Sequence, residues 1–164
     1  MSEHTSFFDP QRIFDALARH RVEFVLIGAL AARLQGFPRL TADADLTPET
    51  SPDNVDRLAA ALRELNARVY TDSVPEGLAF DCSRAMLSRS PLWNLVTDAG
   101  RVDLVFRPAG SSGYEELRAK AVEFDINGTS LFAASLRDIL RLKLASDRPQ
   151  DRQDVIVIRE MLSE

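Results

Sequence analysis

Residues 24–46, FVLIGALAARLQGFPRLTADADL, decide the fold. Phe24-Val25-Leu26-Ile27 is an apolar, β-branched run within Val22–Ile27, which reads as a buried strand and stops at Gly28, where the backbone can turn tightly into a short amphipathic helix. Gly36 and Pro38 end that helix. A second strand is expected over Ala42–Thr47. In a strand, residues i and i+2 share a face. Asp43 and Asp45 therefore project together, while Ala44 and Leu46 turn to the core. Two carboxylates held side by side repel each other, and keeping both ionised is costly unless a cation sits between them.

Working outward, Asp9-Pro10 reads as the start of a helix running to Arg21, with Ile13, Phe14, Leu17 and Ala18 on one stripe. Ser51 or Asp53 caps a helix to about Asn66. Arg68–Tyr70 reads as a short strand. Thr71–Arg89 is mixed in polarity, with a short strand expected at Leu78–Phe80 and a helical turn after Asp81. Leu92–Val96 and Val102–Phe106 form a hairpin with Gly100 at the turn. Tyr114–Val122 reads as a helix. Glu123–Ile126 and Thr129–Phe132 pair across Asn127-Gly128, a strong two-residue turn signal. Ser135 caps a helix through Ala145, Pro149 breaks it, and a last helix turns Val155, Ile158 and Leu162 inward. The pattern predicts an α/β (α+β) fold: one domain over residues 1–164, a mixed β-sheet flanked by helices, and a helical C-terminal end from about residue 135.

Composition narrows the class. The chain has 164 residues, 45% hydrophobic and 27% charged, with a net charge of −5. That is globular rather than disordered. Proteins that grip long duplex nucleic acid by its phosphates are usually basic, so that role is disfavoured. Cys82 is the only cysteine, so no internal disulfide forms and a reducing, cytoplasmic setting is expected. The N-terminal stretch MSEHTSFFDPQR has acids early and no apolar core, so it does not read as a signal peptide. The apolar run from Phe24 to Ala32 is too short for a membrane span. His4 and His20 lie away from the acidic pair and receive no role.

Asp103 interrupts a strand between Val102 and Leu104. Aspartate is depleted in strands and rarely buried without a partner. Each of the three aspartates could singly be a structural hydrogen-bonder. Together, after a strand–glycine–helix unit, they form a pattern. Gly28-Ala29, then Asp43-Ala44-Asp45, then Asp103 resembles the signature of the nucleotidyltransferase superfamily related to DNA polymerase β. The run Arg39-Leu40-Thr41-Ala42-Asp43-Ala44-Asp45-Leu46 is most similar to its AbiEii-like and small bacterial branches, which include toxin–antitoxin components. Lys143, Arg148, Asp151 and Asp154 match a late Lys-x-x-x-x-Arg-x-x-Asp-x-x-Asp motif of those branches.

The resemblance implies a metal-dependent enzyme that moves a nucleoside monophosphate from an NTP to an acceptor hydroxyl on a protein, an RNA such as tRNA, or a small molecule. Asp43, Asp45 and Asp103 would hold Mg²⁺ or Mn²⁺, hard cations that prefer carboxylate oxygens. Asp103 would also take the acceptor's proton. Gly28, Ala29, Arg39, Thr41 and Lys143 would meet the nucleotide. Plainer roles compete for three of these: a salt bridge for Arg39, local strand bonding for Thr41 and a solvated helix position for Lys143. An ion-pair network between the last helices competes for Arg148, Asp151 and Asp154. Position 29 departs from the pattern. Many active members carry Gly or Ser there, and Ala has no hydroxyl to offer a phosphate, although backbone N–H groups at a helix start still can. That departure keeps open a second reading, a weak or inactive nucleotidyltransferase-like antitoxin or partner-binding module.

Overall fold

The structure is a computed structural model and describes residues 7–164. His4 and the first half of the N-terminal stretch lie outside the described residues. Helix α1 (Pro10–Arg19) begins where Asp9 accepts a hydrogen bond from the Arg12 amide and Pro10 takes the first helical position. Strand β1 (Phe24–Ile27) leads directly into α2 (Gly28–Leu34), and β2 (Asp43–Pro48) follows. Helix α3 (Pro52–Glu64) is capped by Ser51, whose hydroxyl accepts from the Asn54 amide. Next come β3 (Arg68–Val69), α4 (Arg84–Leu87), β4 (Leu92–Thr97) and β5 (Gly100–Val105). Helix α5 (Tyr114–Ala119) precedes the hairpin of β6 (Val122–Ile126) and β7 (Thr129–Ala133). Helices α6 (Leu136–Ser146) and α7 (Asp151–Leu162) complete the chain.

The strands form one mixed seven-stranded sheet in the order β3-β4-β5-β2-β1-β7-β6. Two of its contacts are parallel, β2 with β5 and β1 with β7, and the rest are antiparallel. The turn between β6 and β7 is the expected one, with Asn127 (φ 51°) and Gly128 (φ 90°) both left-handed. Alternation along β2 and β5 sorts the side chains. Ala44, Leu46, Val102 and Leu104 are fully buried, while Asp43, Asp45, Arg101 and Asp103 occupy the other face. Helices α1 and α3 pack on each other and against β7 and β2 respectively. Asn54, fully buried on α3, is satisfied by the backbone of Glu23 and Glu49, which ties α3 to the entrance of β1.

Three local expectations shift. Leu78–Phe80 forms a single isolated bridge, Leu78 with Val69, rather than a strand, because its neighbours Pro75 and Gly77 shape a turn there. Val122 starts β6 instead of ending α5, because the chain is already pairing with Ala133. The β4–β5 turn is tighter than the sequence suggested, with Thr97 paired directly to Gly100. No helix among the described residues is long and apolar enough to cross a membrane.

Candidate active site

The register of the sheet assembles the site. Ile27 pairs with Asp45, Asp45 with Asp103, and Asp103 with Asn94, so one row of side chains crosses four strands on the open face. One step along, Asp43 pairs with Arg101. Asp43, Asp45 and Asp103 each offer an oxygen within 4.8 Å of the other two. The sequence placed Asp43 and Asp45 on a common face. The parallel pairing of β2 with β5 brings Asp103 to them across 58 residues of chain.

Gly28 is required here for a reason beyond its left-handed backbone (φ 74°). A Cβ at that position would sit 2.2 Å from Oδ2 of Asp45. The start of α2 therefore closes over the carboxylates only because residue 28 has no side chain.

The electrostatics are unbalanced. Burial pushes Asp45 up from the ordinary aspartate value of 3.8 to about 8, and the negative charges of Asp43 and Asp103 add to the rise. Asp103 is also raised, mainly by burial, but the Arg101 guanidinium restrains it through an Nη2–Oδ1 bond of 3.0 Å. Arg101 is itself fixed by donating Nε to the Leu95 carbonyl and by lying 3.7 Å over the Tyr70 ring. Thr41 donates its hydroxyl to Oδ1 of Asp43 at 3.0 Å, so it orients a carboxylate through a local bond. Three convergent carboxylates with too little neighbouring positive charge are a donor set for a hard divalent cation, and the residues fit such an ion.

A cleft of about 750 Å³ opens over this row. Gly28 and Ala29 border it from one side, Arg39 and Thr41 from the α2–β2 loop, and Lys143 from α6. Every residue nominated from the sequence for metal or nucleotide borders the same cleft. Two of the cations arrive already engaged. Arg39 donates Nη2 to Oδ2 of Asp154 at 2.6 Å. Lys143 is buried rather than solvated, its Nζ 3.2 Å from Oδ1 of Asp151 and 3.1 Å from Oδ2 of Asp154. Arg148 and Ser146 complete the shell of Asp151. Burial alone would raise Asp151, yet the bonds from Arg148, Ser146 and Lys143 hold it below the usual carboxylate range. The late motif is thus an ion-pair network that joins α6, α7 and the α2–β2 loop. Sequence reasoning missed Arg101. Its signal was present, since Arg101 and Asp103 stand at i and i+2 of one strand and must share a face.

Several solved structures share this architecture. A candidate nucleotidyltransferase from Thermotoga maritima matches at a TM-score of 0.57 with 17% identity, covering 99% of both chains. The lincosamide antibiotic adenylyltransferase LnuA, bound to lincomycin, matches at 0.59 with 11% identity over 93% of this chain and 98% of its own. ANT(2″)-Ia, in complex with adenylyl-2″-tobramycin, matches at 0.57 with 17% identity over 93% and 87%. The fold is the nucleotidyltransferase fold. No protein-family model matches the sequence, and no curated protein matches it. The strand–glycine–helix unit and the Asp-X-Asp strand sit in a scaffold of that fold.

Proposed function

We propose that this protein is a divalent-metal-dependent nucleotidyltransferase that moves a nucleoside monophosphate from an NTP to an acceptor hydroxyl, with residues 1–164 acting as one catalytic domain. The observation that carries the reading is the convergence of Asp43, Asp45 and Asp103 within 4.8 Å at the floor of a cleft. Those residues would hold Mg²⁺ or Mn²⁺, which when bound supplies charge neutralisation at the transferring phosphate and activation of the acceptor hydroxyl. Thr41 orients Asp43, and the missing side chain of Gly28 lets α2 close on Asp45, so both carboxylates would be set to hold the ion that neutralises the reacting phosphate. Arg101 holds Oδ1 of Asp103 and so orients the carboxylate that would help hold the ion and take the acceptor's proton. Gly28, Ala29 and Arg39 form the nucleotide wall. Lys143 acts on the triphosphate as a buried positive charge behind it.

The resemblance of the Arg39–Leu46 run and of the late motif favours the AbiEii-like or small bacterial branch. The acceptor is a protein side chain, an RNA end such as tRNA, or a small molecule. The solved neighbours named for lincosamide and tobramycin chemistry favour testing the last of these first. The lone cysteine fits a cytoplasmic setting. Ala29 favours one second reading, a domain that has kept the fold as an antitoxin or partner-binding module, because that position offers no hydroxyl to a phosphate.

The test uses Mg²⁺ or Mn²⁺, each α-labelled NTP, and three acceptor classes: the protein itself, bulk tRNA and hydroxylated antibiotics. Label transfer with pyrophosphate release, lost in Asp45→Asn, is the expected result. Failure of the wild type to bind any NTP at millimolar concentration with either metal would refute the enzyme and leave the module.

A further inference from the structure

The chemistry above leaves Arg148 without a part. It stands in the turn between α6 and α7, between Asp147, which is left-handed (φ 46°), and Pro149. Its side chain borders the same cleft as Asp43 and Asp45 and is 59% exposed, whereas that of Lys143 is 9% exposed. Arg148 donates Nε to Oδ2 of Asp151 at 2.9 Å and Nη2 to Oδ1 at 3.4 Å. Nη1 has no partner among the described residues. The guanidinium lies near enough to the acidic pair to pull Asp45 back down against the burial that raises it. Arg39 repeats the arrangement from the opposite end of the network. Nη2 is held by Asp154, Nε and Nη1 have no partner among the described residues, and the side chain is 54% exposed.

Lys143 differs. Its ammonium is enclosed and shared between Asp151 and Asp154. Arg39, Lys143 and Arg148 outnumber Asp151 and Asp154, so the network keeps a net positive charge. Burial confines the lysine, so that charge is presented to the cleft by the two arginines. An incoming triphosphate meets three carboxylates and needs cations from the protein. A guanidinium with a free edge binds phosphate oxygens through a planar fork. A buried aspartate behind each arginine restricts its rotamers before the ligand arrives, which lowers the ordering cost of binding.

We propose that Arg148, together with Arg39, grips the terminal phosphates of the nucleotide, each arginine being pre-oriented by the buried aspartate behind it. The inference rests on the NTP-binding reading of the cleft and adds the residues that distinguish a triphosphate from a monophosphate.

The experiment measures binding of each NTP, its NMP and its nucleoside to the full chain by titration calorimetry in Mn²⁺, alongside melting curves. Arg148→Gln should weaken NTP affinity by about tenfold to a hundredfold, with nucleoside affinity unchanged and NMP affinity changed by less than about threefold. Its melting temperature should fall by about 2–6 °C, because the buried Asp151 loses one partner but keeps Lys143 and Ser146. Arg148→Lys, which keeps charge without the fork, should fall between the two and serves as the test if the Gln variant does not fold. An NTP affinity within twofold of wild type in the substituted protein overturns the proposal. So does an equal loss for nucleoside, NMP and NTP, which marks general damage to the cleft. A wild type that binds no NTP refutes the reading of the cleft itself, an outcome separable from either of these.

Discussion

Asp45→Asn should stabilise the metal-free protein, and the size of the effect should depend on pH. With its pKa raised from 3.8 to about 8, Asp45 favours the folded state only while protonated. Its contribution is fully present below pH 3.8 and is lost as pH rises toward 8. A displacement of that size corresponds to about 6 kcal/mol. Sharing of the proton among the coupled aspartates and solvent on the cleft side reduce the realisable loss to about 3 kcal/mol. Asparagine mimics the protonated acid and does not titrate. The difference in stability between Asp45→Asn and wild type should therefore be near zero at pH 4 and grow to about 3 kcal/mol at pH 8–9, an advantage of about 6–12 °C in melting temperature for a chain of this length. Asp151 carries the opposite dependence: its pKa is lowered, so its stabilisation is present above 3.8 and disappears as pH falls through the folded-state value. Both proteins retain Asp151, so its effect cancels in the comparison. The assay is thermal denaturation followed by circular dichroism in chelator, from pH 4 to 9, then repeated with Mn²⁺. Metal at a hundredfold excess over its dissociation constant should restore about 2.7 kcal/mol to wild type at pH 8 and much less to the variant. If Asp45→Asn melts below wild type at pH 8–9 without metal, the aspartate is a structural hydrogen-bonder and the reasoning fails.

Further outcomes follow from the same geometry. Gly28→Ala places a Cβ against Oδ2 of Asp45 and a side chain on a left-handed backbone, so it should cost about 2–4 kcal/mol in denaturant melts and abolish metal-induced stabilisation. Lys143→Met removes the enclosed cation that Asp151 and Asp154 share and leaves these buried acids to the half-exposed Arg148 and Arg39. A loss of about 3–5 kcal/mol is expected, and a change below 1 kcal/mol would show that the lysine is not the hub of the network. Ala29→Ser adds a hydroxyl at the mouth of the cleft and should tighten NTP binding by about threefold to tenfold in the same titrations.

How far the sequence could be read depends on the range of the interactions involved. Local rules found nearly every element, because caps such as Asp9, Ser51 and Ser135 and turns such as Asn127-Gly128 act within a few residues. The i, i+2 rule also placed Asp43 and Asp45 side by side without coordinates. Strand order escaped, because β1 meets β7 and β2 meets β5 through pairings that no local signal encodes. The third carboxylate stood out only as an aspartate interrupting an apolar strand, resemblance tied it to the pair, and its position beside the other two required the register. Burial also escaped. Lys143 on an amphipathic helix reads as a solvated cation or a phosphate ligand, and only the packing of α6 on α7 shows it enclosed between two aspartates. Leu78–Phe80 failed in the other direction: its apolar residues suggested a strand, but the turn at Pro75–Gly77 leaves room for a single bridge.

The two acidic groups of this protein solve their charge problem differently, and the contrast bears on function. Asp151 and Asp154 are buried among Arg39, Lys143, Arg148 and Ser146, which leaves them partnered within the chain. Asp43, Asp45 and Asp103 are crowded within 4.8 Å, with Arg101 restraining one member and Asp45 still driven to about 8. A fold that needed these acids only for structure had the first solution available, since Arg and Lys side chains already border the same cleft. Leaving the trio under-compensated costs stability when no ligand is bound, as strained functional sites commonly do. A bound cation would recover that cost, and the arginines that border the cleft could then meet an anion there. A domain that merely docked a partner would gain stability from replacing Asp45 with asparagine and would lose no binding. In an enzyme, the same replacement trades metal binding for stability. Measuring both in one variant separates the module from the transferase before the acceptor is known.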